Sequence, residues 1–362
     1  MLAHQFSARG ISICFDLAVG HLADMVVQAG DRTLRPLHRA PWMDEPAAQL
    51  PEGIAPGLAR LSGDFLCAPF SLNDIEPAPA HGWPANSEWE VAKSHAIPGG
   101  WMAEFNLRRS VLGARIVKRL ILRDDHPFLY QEHEILGGSG LLPVAHHVMS
   151  RMADGGRLSF SPKRAVVSPA SPLEPDPARG NYILAYPARS EDPRAFPDRY
   201  GGVSDLTRYS DADRREDFVV LIEAEHAGPG WTTLARQSER DLVMALKNPR
   251  DLPVTMLWLS NGGRNYAPWN SRHLGVLGVE DGRTAVGHAS SMGENFVNRE
   301  GAPTGFVLHE GSTIRFRHIV GVIPLGSDDE PASDLAVEAG FLSVDFERTA
   351  SRRVPFDDKF LA

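Results

Sequence analysis

Short apolar runs, many with alternating polar positions, recur from one end of the chain to the other: GISICFDLA, ADMVVQAG, WMAEFNLRRSV, ARIVKRLILRD, FLYQEHEIL, DFVVLIEAE, DLVMALK, VTMLWLS, HLGVLGVE, GFVLHEG and TIRFRHIVGVI. Such runs mark strands, because successive side chains on a strand point to opposite faces and branched side chains pack well on a pleated surface. Gly (33 residues) and Pro (28 residues) punctuate the runs at short intervals, and ILRDDHPFLYQEHEI reads as two strands joined by a DDHP turn. Only DEPASDLAVEAGFL and DLTRYSDADRRE could support a helical turn or two. The pattern predicts an all-β chain, built as a sandwich or barrel.

The stretch 161–216 breaks the rhythm, being dense in Pro, Asp and Arg. Tyr182, Tyr186, Phe196 and Tyr200 are more aromatics than a solvated linker usually carries. It is therefore expected to be a long ordered excursion over one face of a single sandwich, so that residues 1–362 form one domain. Long irregular segments on a rigid β scaffold commonly border binding sites.

Composition narrows the function classes. An apolar fraction of 43% and a charged fraction of 23% are those of an ordinary globular chain. The formal net charge is -9, with the basic residues scattered, which argues against nucleic acid as a partner. No apolar run approaches the length of a membrane span and the N-terminus lacks the features of a signal peptide, so a cytoplasmic location without a membrane partner is expected. Two cysteines, Cys14 and Cys67, lack metal-motif spacing and read as reduced core thiols.

Four stretches place polar or ionisable residues in apolar, Gly/Pro-rich settings. In HGWPANSEW, His81 stands beside Trp83 and Trp89; aromatic faces near a polar group are what a sugar ring needs. In PVAHHVM, His146 and His147 must point to opposite faces of a strand, so that one of them can face a cleft. In EDFVVL, Asp217 opens an apolar strand. In APWNSRHLGVLGVEDG, Glu280 and Asp281 follow an apolar run, which predicts a partly desolvated carboxylate at the rim of a sheet, a setting that tunes a carboxylate for proton transfer. Asp281 is expected to point away and serve a turn at Gly282.

Taken in order, these stretches resemble the aldose 1-epimerase (galactose mutarotase-like) family over most of the chain, from about residue 10 to 325. The resemblance implies a β-supersandwich and a sugar mutarotase, in which Glu280 takes the proton from the anomeric hydroxyl and His147, or its neighbour His146, protonates the ring oxygen. His81 and Asp217 would orient the sugar and Trp269 would stack on it. Arg60 precedes the segment LSGDFLCAPF rather than following it, so Arg264 and Arg272 are rival candidates for binding hydroxyls. The chemistry asks for two groups of complementary protonation on opposite sides of a bound pyranose, and for no metal or cofactor.

Two other readings compete with an enzyme interconverting the α and β anomers of a hexose or modified hexose. The first is a non-catalytic carbohydrate-binding protein on the same scaffold, since fold does not fix function. The second is a cupin-like metalloenzyme, suggested by Gln131, Glu132, His133 and Glu134 together with the paired histidines. Against it, Glu132 and Glu134 share a strand face that excludes His133.

Overall fold

The computed structural model describes residues 2–46, 49–326 and 331–362. Strands dominate it. A twelve-stranded antiparallel sheet runs, in spatial order, through Ala3–Ala8, Ile11–Asp16, His21–Ala29, Asp64–Cys67, Val144–His146, Val276–Arg283, Val254–Asn261, Arg215–Glu223, Lys163–Val167 and Arg189–Ser190, with Arg32–Leu34 and Val148–Arg151 pairing off this path. A nine-stranded sheet lies against it, centred on Asp241–Lys247, Thr313–Pro324, Phe128–Leu136 and Arg115–Arg123. Inward-facing residues of both sheets, among them Phe15, Phe105, Leu120, Leu257, Val279 and Val320, form one buried cluster. The two sheets pack as a β-supersandwich.

The expected hairpin is present: Arg115–Arg123 and Phe128–Leu136 pair antiparallel across the DDHP turn. Neither of the two helical expectations holds. In DEPASDLAVEAGFL, whose first two residues lie outside the described ones, Ala332–Glu338 pairs with Phe341–Phe346 as a hairpin. A register shift between Ala332 and Asp334 puts Ala332 and Leu335 on one buried face, and that spacing of three imitates a helix. In DLTRYSDADRRE, the Asp205 carboxylate accepts from the Thr207 N–H and hydroxyl, a local turn that leads into the short strand Arg208–Tyr209.

The excursion over 161–216 is ordered. Leu184 and Phe196 are buried in the core, while Tyr200 stays exposed. The Asp217 carboxylate anchors the excursion, accepting from the backbone N–H of Ile183 (3.0 Å) and Leu184 (3.0 Å) and from the Tyr186 hydroxyl (3.0 Å). Cys14 and Cys67 are both free thiols.

Alternation sorts the strands of the large sheet into two populations. On Val276–Arg283, Leu277 and Val279 face the sandwich core while Val276 belongs to a second buried cluster on the outer face. On the neighbouring strands Met256, Trp258, Phe218 and Val220 join that outer cluster. The outer face is where a cavity opens.

Candidate functional site

The cavity measures about 360 Å³ and is lined by side chains from both large-sheet strands and covering loops, with His81, His147, Arg264, Trp269 and Glu280 among them. Its size falls in the range of small-molecule sites.

Glu280 sits in the middle of its strand, which continues to Arg283, and the strand is paired on both sides. The expected placement at a sheet rim is therefore corrected: the apolar run does not end at Glu280 because the next residue, Asp281, is buried too. No turn begins at Gly282, which pairs with Val254 inside the ladder. Gly278 makes room for the acid, since a Cβ there would lie 2.9 Å from the Glu280 Oε1 and 3.1 Å from the Trp258 Cβ.

The register that pairs Ala145 with Gly282 and Val148 with Val279 sets His147 directly across from Glu280. Their side chains meet on the outer face, with the His147 Nε2 3.1 Å from the Glu280 Oε1. Asp64 seats the histidine, its Oδ1 accepting from the His147 backbone N–H at 3.0 Å, and the Phe65 ring stacks on the imidazole at 4.5 Å and 20°. Trp258 closes the other flank edge-on at 5.4 Å. The Glu280 Oε2 and His147 Nδ1 are buried without a partner.

Burial drives the electrostatics of this pair. Desolvation pushes the Glu280 carboxyl well above its ordinary range, and desolvation together with His81 holds the His147 imidazole well below its own. Both shifts favour the uncharged forms, a carboxyl and an imidazole 3.1 Å apart. The two groups touch on one wall instead of facing each other across the cavity.

His81 enters from the HG segment at a left-handed backbone angle, φ 66°. Gly82 follows at φ 72° and packs so closely that a Cβ would lie 2.0 Å from the Ala68 carbonyl oxygen, a conformation and approach open only to glycine. The His81 Nδ1 accepts from the Ser71 N–H at 3.4 Å and from the Cys67 thiol at 3.2 Å, leaving Nε2 as the protonated nitrogen of the neutral ring. Burial lowers the His81 pKa to about 4, so the ring is a neutral donor at pH 7.

Trp269 and Arg264 also line the cavity, the guanidinium lying 4.6 Å from the Trp269 ring centre. Arg264 is held from behind by Glu216, 3.3 Å away. Glu216 in turn accepts from Trp258 Nε1 and, at 2.9 Å, from the Ser260 hydroxyl. His273 extends this chain inward, bonding Ser260 at 2.8 Å and His38 at 3.1 Å, and stacks on Trp258 at 5.4 Å.

Three expected site residues lie elsewhere. Asp217 points to the opposite face from Glu216 and is consumed by the 183–186 segment and by Arg215 at 2.8 Å. Arg272 pairs with Glu45 and does not line the cavity. His146, one residue before His147, points into the sandwich, where it meets the Asp64 carboxylate at 3.1 Å and stacks on His318 at 4.1 Å. Asp281 shares that interior, accepting from Lys247 (2.8 Å), the Thr255 hydroxyl (2.7 Å) and His318 (3.0 Å).

Asp64, Glu216, Phe65 and Trp258 were not singled out by the sequence reading. The one signal for Asp64 was a carboxylate opening the otherwise apolar run DFLC, and for Glu216 its place beside Asp217.

Asp64, His146 and His318 bring three potential ligand atoms within 4.8 Å of one another. The His146 and His318 rings are stacked nearly parallel, at 16°, and a single ion cannot lie in the plane of both. We read this group as a hydrogen-bonded network. On the other sheet, Glu132 and Glu134 pair with Arg119 on the outer surface while Gln131 and His133 are buried inside, the alternation that counts against a cupin-like ligand set.

Comparison with solved structures gives the same fold. A galactose mutarotase-like protein from Clostridium acetobutylicum superposes with a TM-score of 0.59 at 11% identity, covering 89% of this chain and 95% of that one. A galactose mutarotase related enzyme from Lactobacillus acidophilus superposes with a TM-score of 0.55 at 11% identity, covering 90% and 99%. No family model and no curated protein matches the sequence. The chain thus has the galactose mutarotase-like fold, reached by a strongly divergent sequence. Among the described residues, no helix is long and apolar enough to cross a membrane.

Proposed function

We propose that the protein is a mutarotase-like enzyme, an aldose 1-epimerase acting on a monosaccharide, with Glu280 and His147 as its acid–base unit. The observation that carries this reading is the 3.1 Å contact between them on the cavity wall, with an unpartnered oxygen on one and an unpartnered nitrogen on the other. The names of the two structural neighbours point to the same chemistry. We place the enzyme in the cytoplasm, as a single domain needing no metal or cofactor.

The exocyclic anomeric oxygen and the ring oxygen are bonded to the same carbon, so a compact dyad on one side of the sugar reaches both. With the resting proton on Glu280, the carboxyl protonates the ring oxygen while His147 takes the proton of the anomeric hydroxyl. The bond from C1 to the ring oxygen breaks and the open-chain aldehyde forms. The dyad is then carboxylate and imidazolium. After rotation about the bond from C1 to C2, Glu280 removes the proton from the ring hydroxyl and His147 returns one to the carbonyl oxygen, closing the ring on the other face. The division expected from sequence, base on Glu280 and acid on His147, becomes that of the closing step. His81 donates a hydrogen bond to a sugar hydroxyl, Trp269 supplies the stacking face, and Arg264 contacts a further oxygen.

A second reading is a sugar-binding protein without catalysis, favoured by the dyad's groups meeting each other instead of flanking the cavity. Anomer exchange measured by NMR on freshly dissolved aldoses separates the two. Exchange that Glu280→Gln and His147→Asn both abolish supports the enzyme, whereas sugar binding with no exchange in the parent protein overturns it.

A further inference from the structure

The chemistry of the cavity wall says more about the substrate. A hexopyranose carries hydroxyls around its ring, and each one taken out of water needs a partner. Seven of the lining residues other than tyrosine and tryptophan have polar side chains: His21, Ser71, His81, Asn86, His147, Arg264 and Glu280.

Two of these are already spent. The His21 ring nitrogens face the carbonyls of Arg60 (3.2 Å) and Ala85 (3.1 Å), and the one that carries the ring proton donates to its carbonyl. The Asn86 amide donates to the carbonyls of Ala80 (2.9 Å) and Gly82 (2.8 Å), and its oxygen accepts from the Gly57 N–H (2.9 Å). The dyad is committed to the anomeric and ring oxygens. Among the described side chains, that leaves His81, Ser71, Arg264, the Tyr266 hydroxyl and the Trp269 indole N–H for all the remaining hydroxyls, and Arg264 is shared with Glu216. The rest of the wall is apolar, with Phe65, Phe70, Phe218 and Trp258 contributing aromatic surface and Leu61 and Val286 aliphatic surface.

We infer that the substrate is a deoxyaldose, a sugar in which one or more hydroxyls are replaced by hydrogen or whose hydroxymethyl group is a methyl. The inference rests on the acid–base reading above. A methyl or a bare ring carbon gains by contact with the Phe and Leu surface, whereas a hydroxyl in the same place is buried unpaired. A phosphorylated sugar fits worse still, because among the described residues Arg264 is the only cation lining the cavity and Glu216 already pairs with it.

The test uses the wild-type protein and three pairs of free sugars: 6-deoxygalactose with galactose, 6-deoxymannose with mannose, and 2-deoxyglucose with glucose. Galactose 6-phosphate is added as an anionic probe. Binding is read from tryptophan fluorescence, since Trp258 and Trp269 line the cavity, and anomer exchange from NMR. At least one deoxy sugar is expected to exceed its parent in both affinity and kcat/KM by about tenfold. Parents equal to or better than their deoxy partners in all three pairs, or the phosphate binding tightest, would overturn the substrate class and leave the dyad untouched. Deoxy sugars that bind with preference but do not exchange would support the substrate class and sink the acid–base reading.

Discussion

Glu280 and Asp281 are neighbours in one strand and serve opposite faces of one sheet. Glu280 contacts His147 at the cavity, 3.1 Å away, while Asp281 lies in the sandwich interior, 2.8 Å from the Lys247 ammonium. The two carboxyls are driven in opposite directions: burial alone raises Glu280, whereas Lys247 and His318 hold Asp281 well below the usual carboxylate range. Glu280 stands beside one histidine in an apolar site, whereas Asp281 is held by Lys247, Thr255 and His318.

Glu280→Gln keeps the shape of the side chain and cannot release or accept a carboxyl proton. Anomer exchange by NMR or polarimetry should fall on the order of 10²-fold or more, while sugar affinity changes little. His147→Asn should match it, and the double variant should lose no more than either single one, because the two residues act as a unit. Losses that multiply in the double variant would show that they act independently.

Asp281→Asn should damage stability instead of turnover. Removing the charge leaves Lys247 with only Glu223, 3.0 Å away, as its carboxylate partner. Breaking a buried pair of this kind costs about 3 kcal/mol or more. The urea midpoint should drop clearly while the folded fraction retains its kcat. A stable variant with reduced kcat would place Asp281 in the chemistry.

Glu216→Gln and Asp217→Asn should separate by face. The first loosens Arg264 and Trp258 and should raise KM with a smaller effect on kcat. The second releases the 183–186 segment and should show faster limited proteolysis within 183–200, with KM unchanged. Reversed outcomes would mean that the side chains occupy the faces opposite to those described.

Stability should decline as pH falls below neutral, ahead of the carboxylate range. Seven buried histidines are held below their ordinary 6.5 chiefly by desolvation: His21 and His38 to about 3, His81 and His146 to about 4, and His133, His147 and His273 well below. Their folded pKa values are depressed, so the unfolded chain binds more protons below 6.5, and the stability they contribute is complete above that value and lost as pH drops toward 4. Asp64 and Asp281, also depressed, add a further loss below their ordinary 3.8. Glu280 acts in the other sense, its raised pKa subtracting stability as pH climbs above 4.5. A Tm that is flat from pH 7 to 5 would contradict neutral burial of these rings.

The strands themselves were legible in the sequence, because alternation and Gly/Pro punctuation are local properties, and so was the all-β class. The order of HGW, PVAHH, EDFVVL and GVEDG along the chain was enough to expect His81, His147 and Glu280 in one place, and all three line the cavity with Trp269 and Arg264. What the sequence left open was parity. His146 or His147, Glu216 or Asp217, Glu280 or Asp281 are each choices between adjacent residues, and the strand period of two guarantees only that the members of a pair diverge. Which member meets the cavity depends on which face of the sheet packs on the second sheet, and that is decided by burial of the whole apolar surface. Asp64 and Arg272 show the same limit at longer range. The partners of Asp64, His146 and Gln131, lie 82 and 67 residues away, and Glu45 lies 227 residues from Arg272, so that only the closing of the sandwich makes one a support for the dyad and ties the other to a loop outside the cavity.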